Sequence, residues 1–207
     1  MEPVNERFIG DAEISSNACL LQFWRWAFHD LCDDDIKGVF AEWMVATLLG
    51  LPLTRRISWA NSDIIFRPNT PDEIRIEVKS SAVLQSWKLL DEYGCPKQYD
   101  IKPLDPKRVR FCGLQARTAV EPAFSEKPRS LKSSIYVFCL QTEIDPKEWN
   151  AWKLSQWEFY MMSQAELLQQ GVANSISLAR LRGLQSAMSA ATFQQYARRY
   201  LQFSVAG

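Results

Sequence analysis

The eight residues 74–81, which read IRIEVKSS, decide how this chain folds. Apolar residues at 74, 76 and 78 alternate with charged residues at 75, 77 and 79, and this period of two is typical of a β-strand with one buried and one polar face. Glu77 and Lys79 lie next to each other on the polar face, about 6.6 Å apart along the strand. At that spacing, a carboxylate and an ammonium group can act on the same phosphate or the same water molecule.

Two helices and two further strands are predicted before this strand. Periodicity places the first helix from Ser15 or Ser16 to Leu31, with its aromatic face in the core, and the second helix over residues 36–49. The aspartates at 33–35 can cap the second helix, and a cation site is the alternative for them. After Pro52 the pattern becomes extended, with strands over 55–60 and 62–67. The turn PNTPD at 68–72 then joins 62–67 to a strand over 73–80 as an antiparallel hairpin.

The second half of the chain alternates helices, loops and strands. A helix is predicted over residues 83–93, ending at Gly94, and loops rich in proline and charge follow at 95–110 and 121–132. Residues 134–141, SIYVFCLQ, predict a strand covered on both faces. A strand at 157–162 and amphipathic helices at 177–203, broken near Gly183, complete the chain. This order predicts one α/β or α+β domain over residues 1–207, with a mixed central β-sheet flanked by helices, and α/β is the class expected.

Composition excludes several classes of protein and of site. The five cysteines contain no C-x-x-C pair, which argues against a disulfide framework or a zinc site. The single histidine, His29, argues against a mechanism that needs two imidazoles. The acidic N-terminal segment lacks the pattern of a signal peptide, and the apolar run at 39–53 is too short to cross a membrane. The expected location is the cytoplasm, and any chemistry must use carboxylates and lysine.

Charge is distributed unevenly although the net charge is zero. Residues 102–132 contain eight basic and three acidic residues, and residues 171–207 contain four arginines and no acid. Such local basic surfaces favour a polyanion such as nucleic acid, but ordinary solvated charge explains them equally well. Most tryptophans fall in apolar patterns that predict core positions rather than base stacking. These tryptophans are Trp24, Trp26, Trp43, Trp149, Trp152 and Trp157.

An acidic residue two positions before a lysine occurs five times in the chain, so the spacing alone selects no site. Only the copy at 77–79 lies inside a clear period-two strand, because the others contain proline, border a helix start or precede a Lys-Pro step. The predicted hairpin adds Asp63, which begins the preceding strand and would lie near Glu77. Two carboxylates and a lysine are therefore predicted to converge.

Asp63 and the triplet Glu77-Val78-Lys79, on consecutive strands after a helix, resemble the PD-(D/E)xK, or restriction-endonuclease-like, superfamily over about residues 36–141. The resemblance implies an α-β-β-β-α-β core and hydrolysis of phosphodiester bonds, with DNA as the expected substrate. It also implies a divalent ion, Mg2+ or Mn2+, held by Asp63, Glu77, the Val78 carbonyl and Glu42 of the preceding helix. Lys79 would orient or deprotonate the attacking water, or stabilise the transition state.

Basic residues near this site are the expected contacts to DNA phosphates. Two alternatives stay open. Glu77 and Lys79 form a solvent-facing cross-strand pair with Asp63 as a turn residue, or Glu42 pairs with Arg55 or Arg56. The alternative function is a nuclease-fold module that binds nucleic acid or protein without turnover. No membrane partner is expected, and the sequence leaves open whether the chain forms a homodimer. The predicted DNA contacts are Lys88, Arg108, Arg110, Arg117 and Lys132.

Overall fold

The computed structural model describes residues 19–51, 56, 62–86, 90–95, 103–116 and 130–201. No helix in these ranges is both long enough and apolar enough to cross a membrane. The elements that lie within these ranges are, in chain order, α1 (Leu20–Ala27), α2 (Asp34–Leu49), β1 (Ile64–Phe66), β2 (Ile74–Ala82), β3 (Arg110–Cys112), β4 (Gln115–Ala116), β5 (Ser130–Leu131), β6 (Ile135–Gln141), β7 (Trp157–Ser163), α3 (Gln164–Gln169), β8 (Ser175–Ser177), α4 (Leu178–Leu184) and α5 (Ala190–Tyr200).

Helix α2 begins where the run of aspartates predicts. The Asp33 side chain accepts hydrogen bonds from the backbone N–H groups of Asp35 and Ile36, at 3.0 and 3.4 Å. These bonds satisfy amides that have no partner within the first turn of a helix. The next aspartate, Asp34, binds the buried amine of Lys37 at 2.6 Å. The predicted capping role of the run is confirmed.

Strands β1 and β2 form the predicted antiparallel hairpin, with Ile64 opposite Ile76 and Phe66 opposite Ile74. The connecting turn contains Asn69 at a φ of 60°. Asparagine tolerates this left-handed conformation better than most residues, which is why the PNTPD segment is a good turn. Strand β2 covers residues 74–82, so it ends two residues later than the predicted strand over 73–80.

The central sheet is mixed, with the strand order β1-β2-β6-β7. Strand β2 pairs in parallel with β6, whereas the β1–β2 and β6–β7 pairs are antiparallel. All seven residues of β6 are buried, so the prediction of a strand covered on both faces is confirmed. One face packs against α2 and α5, and the other packs against a second layer formed by β3, β8, α3 and α4. The predicted α/β class, with a mixed central sheet flanked by helices, is confirmed.

The charged face of β2 looks towards the second layer. Glu77 lies opposite Tyr136 of β6 in the parallel register. The Tyr136 ring belongs to the core between the sheet and the second layer, whereas Ile76 and Val78 pack on the α2 side. The period-two pattern of residues 74–79 therefore separates a core face from a site face, as predicted.

The start and the end of the helix predicted over residues 83–93 are wrong, whereas Ser86 is helical and its carbonyl accepts a hydrogen bond from the Leu90 amide at 3.2 Å. Val83 and Leu84 form a bend, and the Val83 amide donates to the Gln141 carbonyl at 3.0 Å. This bond continues the β2–β6 ladder by one residue, and Leu84 is fully buried. Residues 92–94 form a turn, while residues 87–89 lie outside the described residues. The apolar residues after β2 thus belong to the buried end of the strand and not to a helical face.

The prediction that the aromatic face of the first helix lies in the core is also wrong. Helix α1 covers part of the predicted segment, and residues 1–18 lie outside the described residues. None of its residues is buried. An amphipathic pattern identifies the apolar face of a helix but not the surface that covers this face. Exposed aromatic rings can also pack on each other, and the ring centroids of Trp43 and Trp152 lie 5.6 Å apart. Trp157 is buried and Trp149 partly buried, whereas the tryptophans found exposed are Trp24, Trp26, Trp43 and Trp152.

The C-terminal elements follow the prediction more closely. Strand β7 coincides with the predicted 157–162, and the predicted helical tail forms α4 and α5 with a break after Leu184. The helix α3 and the short strands β3, β4, β5 and β8 were not predicted, because elements of two to six residues carry little periodicity. The predicted strand at 55–60 lies outside the described residues except for Arg56.

Replacing Gln156 by alanine is expected to lower the free energy of unfolding by about 2 kcal/mol. The Gln156 side chain donates to Glu143 and to the Glu148 carbonyl, and it accepts from Asn150 and from the fully buried Gln141. Its loss leaves the buried Gln141 amide without that partner. Urea unfolding of Gln156→Ala measures the effect. The exposed glutamine of α3 supplies the control, Gln169→Ala, and equal stability of both variants would contradict the prediction.

Candidate active site

Asp63 lies directly before β1 and reaches across to β2. Its Oδ2 atom accepts a hydrogen bond from the Val78 amide at 2.8 Å. Strand β1 starts only at Ile64, so no backbone carbonyl of β1 lies opposite the Val78 amide. The Asp63 carboxylate accepts the hydrogen bond that a longer strand would accept with its backbone. The N–H and C=O groups of one residue in a strand point to the same side, so the Val78 carbonyl also points towards Asp63. The hairpin therefore brings Asp63 to the middle of β2, as predicted.

Glu77 and Lys79 form an ion pair on the site face of β2. The Glu77 Oε1 atom lies 2.7 Å from the Lys79 Nζ atom, and the side chains are only 12% and 22% exposed. The other Glu77 oxygen accepts a hydrogen bond from the Ser133 hydroxyl at 3.3 Å. The two side chains lie side by side, as the sequence predicts. Their low exposure contradicts the alternative of a solvent-facing surface pair.

The Asp63 carboxyl is in an unfavourable environment for a negative charge. Burial raises its pKa, and the charges of Glu77 and Glu42 raise it further, to about 7. The hydrogen bond from Val78 and the charge of Lys79 act in the opposite direction but are weaker. Two further carboxylates thus act on Asp63 in a partly buried site. A bound cation would relieve this repulsion.

Glu42, on α2, is held by Arg56. The Arg56 Nε atom lies 2.6 Å from Glu42 Oε2, and its Nη2 atom lies 2.9 Å from Oε1. This bidentate bond raises the pKa of Arg56, and Asp63 contributes to the same shift through its charge. The pairing of Glu42 with Arg56, weighed above as an alternative, is what the structure contains. Glu42 remains close enough to act on Asp63 through its charge.

The residues present fit a divalent ion of the magnesium type. Among the described residues no three Asp, Glu, His or Cys side chains are grouped as metal ligands, which agrees with Glu42 facing Arg56. Magnesium is often held by only one or two carboxylates, with waters and substrate phosphates completing the octahedron. Asp63, Glu77 and the Val78 carbonyl can supply such a set.

The predicted DNA contacts that the structure describes lie in or directly beside the short strands β3 and β5. Arg108 and Arg110 are exposed, and Arg110 donates to the Ser175 hydroxyl at 2.9 Å. The Lys132 backbone amide donates to the Tyr136 hydroxyl at 3.1 Å, directly before the serine that contacts Glu77. Lys132 is therefore next in sequence to a residue that contacts the ion pair. Lys88 and Arg117 lie outside the described residues.

Sequence reasoning missed the role of Ser133 and selected Arg56 only as one of two possible partners for Glu42. Ser133 is 56 positions from Glu77, and Arg56 is 14 positions from Glu42. The only signal in the sequence for Ser133 is that it directly precedes the predicted strand 134–141. This position becomes informative only once that strand is known to run parallel to β2, because its start then lies beside Glu77. No pattern within the chain states that these two strands are neighbours.

In comparisons with known proteins, no family model, curated protein or solved structure matches the chain.

Proposed function

We propose that the chain is a metal-dependent nuclease that hydrolyses phosphodiester bonds in DNA, with Asp63, Glu77 and Lys79 at its active site. The observation that carries the proposal is the convergence of two carboxylates from the β1–β2 hairpin in one partly buried site, where burial and then the charge of Glu77 raise the Asp63 pKa. A lysine amine lies 2.7 Å from one of them. A carboxyl group whose pKa is strongly raised by burial and by nearby charges is more frequent at functional sites than elsewhere.

The order of elements around the site supports a restriction-endonuclease-like core. Helix α2 precedes the hairpin, the acid-x-Lys triplet lies on the second hairpin strand, and β6 follows in parallel beside it. Two elements of the expected α-β-β-β-α-β order are described only in part. The first strand falls on residues 55–60, of which only Arg56 is described, and of the helix over 83–93 the described residues include one helical position, Ser86. The proposal therefore rests on the site more than on the fold.

Each residue has a role that follows from its position. Asp63 and Glu77, with the Val78 carbonyl, would hold Mg2+ or Mn2+, which supplies an acidified water and offsets charge on the scissile phosphate. Lys79 directs its amine into the same space and stabilises the additional negative charge of the transition state. Arg108, Arg110 and Lys132 bind phosphates of the strand on either side of the cleaved bond.

A second candidate, a nuclease-like module that binds nucleic acid or protein without turnover, also has an observation in its favour. Glu77 is neutralised by Lys79, and Glu42 by Arg56, at distances of 2.7 and 2.6 Å. Of these three carboxylates, Glu42 and Glu77 are therefore paired within the site. Asp63 has no cationic partner within 4 Å among the described residues. These two ion pairs reduce the negative charge that the site offers to a metal ion.

Cleavage assays distinguish the two candidates. The protein is incubated with single-stranded DNA, double-stranded DNA and RNA, in the presence of Mg2+, Mn2+ or EDTA, and Mn2+ binding is measured by calorimetry. Cleavage of DNA that requires the metal and stops with EDTA supports the nuclease. Nucleic-acid binding without cleavage and without Mn2+ binding supports the second candidate and overturns the first. Cleavage confined to RNA would keep the chemistry and correct the substrate.

A further inference from the structure

The Tyr136 hydroxyl links β6 by hydrogen bonds to two neighbouring segments beside the site, residues 132–133 and Leu114. It accepts hydrogen bonds from the Lys132 and Ser133 amides at 3.1 and 3.4 Å, and it donates to the Leu114 carbonyl at 3.4 Å. Tyr136 is fully buried and Ser133 is 1% exposed. Buried polar groups with several partners hold the backbone in one arrangement. The position of the Ser133 backbone relative to β6 is therefore fixed.

This arrangement presents the Ser133 hydroxyl to Glu77. A serine hydroxyl has one proton to donate, and here it goes to Glu77 Oε2, while Glu77 Oε1 faces the Lys79 amine. Both oxygens of the carboxylate are engaged from different sides, so the carboxylate plane is held against rotation about its last bond. Each oxygen keeps further lone pairs for another ligand.

We propose that Ser133 is a positioning residue of the site, which orients the Glu77 carboxylate for binding a divalent ion. The inference rests on the proposed function, because it assigns Glu77 as a metal ligand. Partners of this kind fix the orientation of a ligating carboxylate and raise metal affinity without touching the ion. The serine acts together with Tyr136, because the tyrosine hydroxyl accepts hydrogen bonds from the consecutive backbone amides of Lys132 and Ser133.

The test compares Ser133→Ala with Ser133→Thr, which keeps the hydroxyl. Two readouts are measured: Mn2+ affinity in the absence of DNA, and kcat and KM for DNA cleavage at several Mn2+ concentrations. For Ser133→Ala we expect the Kd of Mn2+ to rise about tenfold and cleavage to require correspondingly more metal, with KM for DNA unchanged. Ser133→Thr restores the affinity. Thermal unfolding confirms that both variants are folded.

Two further variants complete the experiment. Ser189→Ala removes the hydroxyl that caps α5, far along the chain from the site, and leaves Mn2+ affinity unchanged. Tyr136→Phe keeps the Ser133 hydroxyl but removes its anchor, so a smaller rise in Kd follows, and this variant serves if Ser133→Thr does not fold. Wild-type Mn2+ affinity in Ser133→Ala overturns the positioning role alone. A wild-type protein that binds no Mn2+ overturns both this role and the proposed function.

Discussion

Replacing Asp63 by asparagine is expected to raise the free energy of unfolding at pH 8 by about 2 kcal/mol and to abolish Mn2+ binding and cleavage. Burial and the charges of Glu77 and Glu42 raise the pKa of Asp63 to about 7, so the ionised carboxylate destabilises the folded protein when no metal is bound. Asparagine removes this charge, and its side-chain oxygen can still accept the hydrogen bond from Val78.

The pH dependence has a defined sign. An aspartate in the unfolded chain titrates near pH 4, and Asp63 in the folded chain titrates at about 7. Between these values the folded state binds more protons than the unfolded state, so the free energy of unfolding falls as pH rises. Below pH 4 both states are protonated and the advantage of Asp63→Asn disappears. Above pH 7 the advantage is complete.

Urea unfolding in EDTA, from pH 4 to pH 8, measures this difference. The control is Asp72→Asn, because the Asp72 side chain is 77% exposed and its stability effect should be small at every pH. Adding Mn2+ should stabilise the wild type in proportion to the metal bound and should leave Asp63→Asn unchanged. A variant that is less stable than the wild type at pH 8 in EDTA would show that the carboxylate is favourably held and would remove the electrostatic argument for a cation site.

The sequence was sufficient to predict the strand that carries the site and the residues on its polar face. The period of two at residues 74–79 and the turn at 68–72 are local signals, and together they place Asp63, Glu77 and Lys79 correctly. The contacts that complete the site are not local. Ser133 reaches Glu77 only because β6 lies beside β2, and this neighbour relation depends on packing of the whole sheet.

The errors in the prediction have the same origin. Val83 and Leu84 are compatible with a helical face, but the Gln141 carbonyl offers the Val83 amide a partner in the sheet, and burial of Leu84 favours that arrangement. Tertiary contacts therefore overrode a local pattern. For Glu42, the sequence identified a carboxylate that needs a partner in an apolar helix, and only the three-dimensional arrangement selects Arg56.

Replacing Lys79 by alanine is expected to reduce the rate of DNA cleavage by about 10²- to 10³-fold, the range for loss of one group that stabilises the charge of the transition state. Lys79 lies beside Glu77, and its charge lowers the Asp63 pKa. Removal of this positive charge makes the site more negative, so Mn2+ affinity should be maintained or increased. Loss of turnover without loss of metal binding would separate Lys79→Ala from Asp63→Asn, which loses both.

A matched lysine is available for the control. Lys153 forms an ion pair with Glu148 at 3.4 Å on the exposed surface, and Lys153→Ala should leave cleavage and Mn2+ affinity unchanged. Single-turnover cleavage with both variants and the wild type, purified in the same way, also excludes a contaminating nuclease, which would be equally present in all three. If Lys79→Ala cleaves like the wild type, Lys79 serves only to pair with Glu77, and the binding module without turnover becomes the better account of the site.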